Sequence, residues 1–230
     1  MSLAVAFSSV APLPAEETVF FSGETIRYSI KKVGVKAGEA TLTFLGAKEV
    51  SGQKVLEIVF KAKAGNLYDG EERIFVDPVT YRPVQVHRDL HVFGKKEKIL
   101  EFYDKETGRV RIVKTAGGKT TEQVIEKEQP LDNLYGFIYR YRREGRFDPE
   151  EKIAMNLPTT DVLIQLKEKV QIKAGGQVYQ AYHMQSDPQK YRVWFDAGPQ
   201  RIPLRIDGAV GFGNTVMIMN QYEPAGAGNL

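Results

Sequence analysis

The chain has 230 residues, 42% of them hydrophobic and 27% charged, a balance that excludes general disorder and provides for a sizeable core. Lysine and arginine (32) nearly cancel aspartate and glutamate (29), leaving +3 with both signs interspersed and no footprint for nucleic acid. Cysteine is absent, which excludes disulfides, thiolate metal sites and cysteine nucleophiles.

Leu3 to Ala15 form a short run of apolar and small residues ahead of Glu16 and Glu17. It is too short to span a bilayer, which takes about 20 apolar residues. It reads either as the latter part of a secretory signal, cleaved after Ala15, or as a disordered tail (1–15). No other segment has the length and apolarity of a membrane-spanning helix. Residues 16–223 are expected to form one domain, because no linker rich in Pro, Gly or Ser divides them; residues 224–230 read as a frayed, disordered tail.

From Glu17 onwards the dominant period is two. Ile26, Tyr28 and Ile30 alternate with Arg27, Ser29 and Lys31. Ala40, Leu42 and Phe44 alternate with Thr41 and Thr43, and Leu56, Ile58 and Phe60 alternate with Glu57, Val59 and Lys61. Such alternation marks strands with one buried face. Turn signals at Ser51-Gly52, Asp77-Pro78, Lys105 to Gly108, Gly117-Gly118 and Gly175-Gly176 read as hairpin connections. Strands are predicted over 82–93, 96–104, 108–115 and 119–127, and again over 161–173, 177–185, 190–196, 201–207 and 214–222. The expected fold class is all-β and mainly antiparallel. It is a strongly twisted sheet of roughly ten or more strands, barrel-like or sandwich-like, with one main helix near 131–144.

The helix interrupts the strand pattern. Apolar residues recur at Leu131, Leu134, Tyr135, Ile138 and Tyr141, a helical stripe. Pro130 precedes it, Asp132 or Asn133 is placed to cap it, and Gly145 can end it. Arg140, Arg142, Arg143 and Arg146 interleave with Tyr135, Tyr139 and Tyr141. Helical phase turns Arg140 and Arg143 to solvent, but it aims Arg142 inwards with the apolar stripe. A guanidinium there is either a site for an anionic ligand group or one half of a structural ion pair.

Other chemistry finds little support. His87 and His91 are four apart, but on a strand this separates them by about 13 Å, too far for one zinc ion. They share a polar, solvated face with Gln85 and Asp89. No serine sits in a G-x-S-x-G elbow. Gly208 to Gly213 lacks the order of a phosphate-cradling loop and reads as strand-bend glycines. Trp194, the only tryptophan, lies on the strand face opposite Tyr191, Val193 and Phe195, where it lines a cavity, covers an edge or sits on the outer surface.

A set of motifs in fixed order now identifies a likeness. Gly23-Glu24-Thr25-Ile26-Arg27-Tyr28 is followed by Gly34 and by Ala37-Gly38-Glu39-Ala40. The Asp132-initiated helix carries tyrosines, ends in arginines and stops at Gly145. Val193-Trp194-Phe195-Asp196, Arg201-Ile202-Pro203-Leu204 and a final hairpin through Gly211 complete the series. In this the chain resembles the bacterial family known as domain of unknown function 3108, over about residues 20–222. The resemblance implies an exported, mostly β protein of the bacterial envelope, periplasmic or otherwise exported, with no established activity. It supplies no catalytic residues, and the arginine that follows its tyrosine run matches either Arg140 or Arg142. The chain is also similar in style to the curved-sheet lipoprotein carriers of the periplasm, an analogy of fold alone.

Three functions compete on this reading. The first is a non-catalytic module that binds an apolar or lipid-like ligand, with Arg142, Arg140, Tyr139 and Trp194 as candidate contacts and neither cofactor nor metal. The second is a structural or interaction protein that docks an envelope partner through exposed strands or the 131–144 helix. An enzyme is the third and has the least support.

Overall fold

The computed structural model describes residues 19–104, 106–209 and 215–225. The signal-like run of Leu3 to Ala15, residues 210–213 of the glycine-rich stretch and most of the C-terminal tail lie outside them. These residues form fourteen strands and one helix. The first eight are β1 (Glu24–Lys32), β2 (Val35–Val50), β3 (Gln53–Ala64), β4 (Tyr68–Val76), β5 (Pro83–Val92), β6 (Lys95–Tyr103), β7 (Gly108–Ala116) and β8 (Lys119–Lys127). The helix α1 (Leu134–Glu144) comes next. The second group is β9 (Lys152–Leu157), β10 (Thr160–Ala174), β11 (Gln177–Asp187), β12 (Arg192–Asp196), β13 (Pro203–Asp207) and β14 (Thr215–Glu223).

All the strands join one antiparallel sheet in the order β8-β7-β6-β5-β4-β3-β2-β1-β14-β13-β12-β11-β10-β9. Each half is an up-and-down meander, and the halves meet where the first and last strands pair, with Ile26 opposite Tyr222 and Tyr28 opposite Met219. Register shifts between Arg27 and Tyr28, Phe44 and Gly46, Leu166 and Glu168, and Trp194 and Phe195 bend the strands. Such bulges increase twist locally and curl a large sheet. The result is barrel-like but unclosed, with β8 and β9 as its two edges. The segment that carries α1 connects these edges. Near it the edges are tied together: Lys127 Nζ donates to the Leu157 carbonyl and to Asp161 Oδ1, both at 2.7 Å.

Two strands escape the periodicity reading. The core phase of β4 begins Tyr68, Gly70, Glu72, so apolar alternation shows only from Ile74. The short edge strand β9 carries just Ile153, Met155 and Leu157.

The helix lies between the halves and packs on both. Tyr135 stacks on Phe60 of β3 with ring centroids 4.4 Å apart, and Tyr139 meets Phe44 of β2 at 5.3 Å. From the other side Tyr141 reaches Phe195 of β12 at 5.5 Å and Phe137 stacks on Tyr141 at 6.0 Å. Residues four apart share a helix face, so 135/139 and 137/141 form two nearly opposed aromatic faces. That explains why eight of its eleven residues are buried although the sequence shows a single stripe. An isolated helix of this length is marginal in water, and tertiary packing holds it.

Candidate functional site

The ends of α1 are fixed locally. Asn133 is the N-cap, and its side-chain oxygen accepts from the backbone N–H of Tyr135 at 2.9 Å and of Gly136 at 3.3 Å. Gly145 closes the helix in the left-handed region, at φ 64°. Gly136 lets the helix approach the β4–β5 turn, since a Cβ there would stand 2.8 Å from the Tyr81 carbonyl oxygen. The capping alternative, Asp132, instead accepts from the Asn156 N–H at 3.0 Å and covers part of the β9 edge.

Arg142 is fully buried, as its phase predicts. Its Nη1 and Nη2 donate to the two oxygens of Glu24 at 2.7 and 2.9 Å, and Nη2 also donates to the Gln200 carbonyl at 3.0 Å. Tyr139 and Tyr222 donate their hydroxyls to the same carboxylate at 3.3 and 3.0 Å. Burial and the Glu24 charge together hold the Tyr139 phenol well above its ordinary range. Arg201, at φ 47°, donates to the carbonyls of Arg142 and Arg143 at the end of the helix. This knot joins β1, α1, the β12–β13 turn and β14, and the arginine fork finds its partners inside the protein.

The other candidate residues lie elsewhere. Arg140 is not solvated, contrary to its helical phase: its Nη1 pairs with the buried Asp132 at 3.0 Å, because the segment before the helix folds back alongside it. Nor is Arg143 free in solvent, since it donates to the Val79 carbonyl at 2.7 Å and lies over the Tyr81 ring. Trp194 lies on the opposite strand face from Val193 and Phe195. It is sandwiched between the His183 ring at 4.3 Å and the Arg205 guanidinium at 4.3 Å, and these neighbours bury it. Tyr139 and Arg142 thus meet at Glu24, while Arg140 and Trp194 belong to separate clusters. His87 shares a hydrogen bond with Gln85 at 3.2 Å.

A second polar group faces the N-terminal end of the helix. Arg88 of β5 donates through Nε to Glu72 of β4 at 2.8 Å and through Nη1 to Glu101 of β6. The Tyr103 hydroxyl donates to the other Glu101 oxygen at 2.6 Å. Two carboxylates therefore share one guanidinium. Burial would lower the Arg88 pKa, but the two carboxylates outweigh it and raise it. Burial and then Glu101 push the Tyr103 phenol well up. These residues, with Ile112, Asn133, Leu134, Tyr135, Leu157 and Tyr191, line a cavity of about 310 Å³ between the two halves. Tyr135 is among the lining residues, and its hydroxyl is buried without a hydrogen-bond partner among the described residues. Burial first, then Glu72, raises its pKa strongly.

None of Arg142, Arg140, Tyr139 and Trp194 lines this cavity. The residues that do, and Glu24, left a signal in the sequence. Glu24 stands in phase with Ile26 and Tyr28, Glu72 with Ile74, Arg88 with Val86 and Leu90, and Glu101 with Ile99 and Tyr103. A charge on the core phase of a strand must find partners. Among the described residues, no group of three His, Asp or Glu side chains is placed to hold a metal ion. Among these residues, no helix is long and apolar enough to cross a membrane.

A family model described as protein of unknown function (DUF3108) matches residues 25–220. Among solved structures, the chain is similar to the crystal structure of a beta-barrel-like protein of domain of unknown function DUF1849 from Brucella abortus. That likeness has a TM-score of 0.50 at 8% identity, covers 90% of this chain and 99% of that one, and shows a shared fold. A weaker likeness, with a TM-score of 0.30 at 9% identity over 89% of this chain and 98% of the other, is to a "putative lipoprotein" from Parabacteroides distasonis. No curated protein matches the chain.

Proposed function

The chain belongs to the DUF3108 family of proteins of unknown function, and on that premise we propose that it is a non-catalytic binding module of the bacterial envelope that takes an apolar or lipid-like ligand into the cavity beside α1. The Tyr135 hydroxyl carries this reading. Tyr135 lines the cavity, and its hydroxyl is buried with no partner among the described residues, an arrangement that costs about 1–3 kcal/mol and invites a bound group to complete it. The volume of about 310 Å³ stands at the lower end of ligand pockets, roughly 300–1,000 Å³. A small amphiphile or the end of a longer chain suits it. Its apolar part would lie against Ile112, Leu134 and Leu157 and its polar end towards Tyr135 and the Glu72–Arg88–Glu101 group.

Export is part of the same proposal, and the signal-like run Leu3 to Ala15 supports it. An uncleaved, cytosolic product from the native-length gene would count against it. The binding test is native mass spectrometry with lipid extraction on protein purified from an envelope fraction. A bound mass is expected, lost in the cavity-filling variant Ile112→Trp. A bare chain mass with an empty extract would reject the proposal.

One observation favours an interaction protein instead. Strand β8 is an open edge whose residues are mostly exposed, a template for strand addition by an envelope partner. The helix offers no such surface, because packing on both halves buries it.

A further inference from the structure

Four hairpin turns stand along one rim of the first eight strands: Val33-Gly34, Gly65 to Leu67, Phe93-Gly94 and Gly117-Gly118. They carry exposed apolar side chains. Val33 is 92% exposed, Val35 beside it 70%, Phe93 67% and Leu67 59%. Leu67 and Phe93 adjoin, since the Phe93 N–H donates to the Leu67 carbonyl at 2.9 Å. On the opposite rim, the turns 51–52, 77–82 and 104–107 present one exposed large apolar residue among the described residues, Val79.

The backbone argues that these side chains are placed for a purpose. Val33 and Phe93 hold φ of 50° and 49°. A two-residue hairpin turn takes positive φ at its first position, where Asn, Asp or Gly fit best. A β-branched or bulky residue there is a strained outlier. The chain thus spends backbone strain to set apolar groups at its outermost points.

Charge is sorted in the same way. Within three residues of the four apolar-rim turns stand eight lysines, Lys31, Lys32, Lys36, Lys95, Lys96 and Lys119 among them, against two carboxylates, Asp69 and Glu97, a surplus of six. The same count around the opposite turns finds five basic and five acidic residues, so no surplus. An open trough of about 850 Å³ runs between the Phe93-Gly94 and Gly117-Gly118 turns, its charged lining Lys95, Lys96, Lys98 and Lys114 against Glu97, which pairs with Lys114 at 2.7 Å.

We propose that this rim docks on an anionic lipid bilayer, with Val33, Val35, Leu67 and Phe93 entering the interface and the surrounding lysines at headgroup level. Apolar tips ringed by lysine meet both demands of such a surface, acyl boundary and negative headgroups. A second copy of the chain would bring the same positive surplus and be repelled, and nucleic acid would leave the apolar tips unused. The site is separate from the cavity beside α1, so either proposal can fail alone.

The test is flotation of the full chain with phosphatidylcholine vesicles, with and without phosphatidylglycerol. Binding is expected with phosphatidylglycerol and should fall about tenfold or more without it or in high salt. The double variant Val33→Asn/Phe93→Asn takes the positive φ with less strain. It should melt no lower than the parent and lose about tenfold or more of its vesicle binding. Absence of binding to phosphatidylglycerol vesicles would overturn the proposal. So would unchanged binding by the variant, a marked loss of its stability, or a dimer of the parent chain that the variant abolishes.

Discussion

The Arg142 guanidinium grips the Glu24 carboxylate through two hydrogen bonds of 2.7 and 2.9 Å, across 118 positions of chain. Both side chains are essentially without solvent contact. The pair fastens the helix to the strand at the seam between the two halves of the sheet, and Tyr139, Tyr222 and Gln200 complete its hydrogen bonding. Buried pairs of this kind contribute little net stability against an apolar replacement but are costly to break from one side.

Arg142→Met is therefore expected to destabilise the fold by about 3–5 kcal/mol, because Glu24 is left buried and alone. For a domain of this size that corresponds to a fall of roughly 6–20 °C in melting temperature. Adding Glu24→Gln should recover part of the loss. Thermal denaturation of the single and double variants checks both points, and near-normal melting of the single variant would contradict the pairing.

Tyr135→Phe removes a buried hydroxyl that has no partner among the described residues. The fold should gain about 1 kcal/mol or stay unchanged, while any ligand that co-purifies in the cavity is lost or weakened. Chemical denaturation and native mass spectrometry read the two effects separately. A clear loss of stability would mean that the hydroxyl is bonded after all.

Alkaline pH should unfold the protein through its tyrosines. Burial raises Tyr28, Tyr135 and Tyr139 well above the ordinary phenol value of 10.0. It raises Tyr68, which also faces Glu72, and Tyr222, which also faces Glu24, to about 12. The unfolded chain gives up these protons first, so stability is intact below about pH 10 and declines as pH rises towards 12 and beyond. Phenolate absorbance from these residues should appear together with loss of circular dichroism. Full ionisation of the folded state would refute the assignment.

Gly145→Ala tests the end of the helix against a control. Both Gly145 and Gly176 have positive φ, but a Cβ on Gly145 would stand 2.3 Å from the Arg201 guanidinium carbon, whereas Gly176 faces open space. Gly176→Ala should cost about 1 kcal/mol from backbone strain alone. Gly145→Ala should cost more by the displacement of Arg201 from the helix carbonyls. Equal losses in urea denaturation would remove Arg201 from the account.

What the sequence determined by itself is local. Alternation at period two marks most strands, Gly and Asx residues mark their turns, and the stripe from Leu131 to Tyr141 marks the helix with its stop at Gly145, because each signal is complete within a few residues. The inward phase of Arg142 was equally legible. Charges on the core phases of β1, β5 and β6 stand in segments that alternation marks, whereas β4 escaped that reading and Glu72 with it. Tertiary structure decided how those charges are satisfied. Only the pairing of β1 with β14 and the placing of α1 between the halves bring Glu24, Tyr139, Arg142 and Tyr222 together. Only the fold-back of the segment before α1 gives Arg140 its Asp132, and only the register of β11 to β13 stacks His183, Trp194 and Arg205. The cavity beside Tyr135 arises in the same way. It is the space left where two meanders meet a helix; single segments carry the charges that line it but no sign of the space itself.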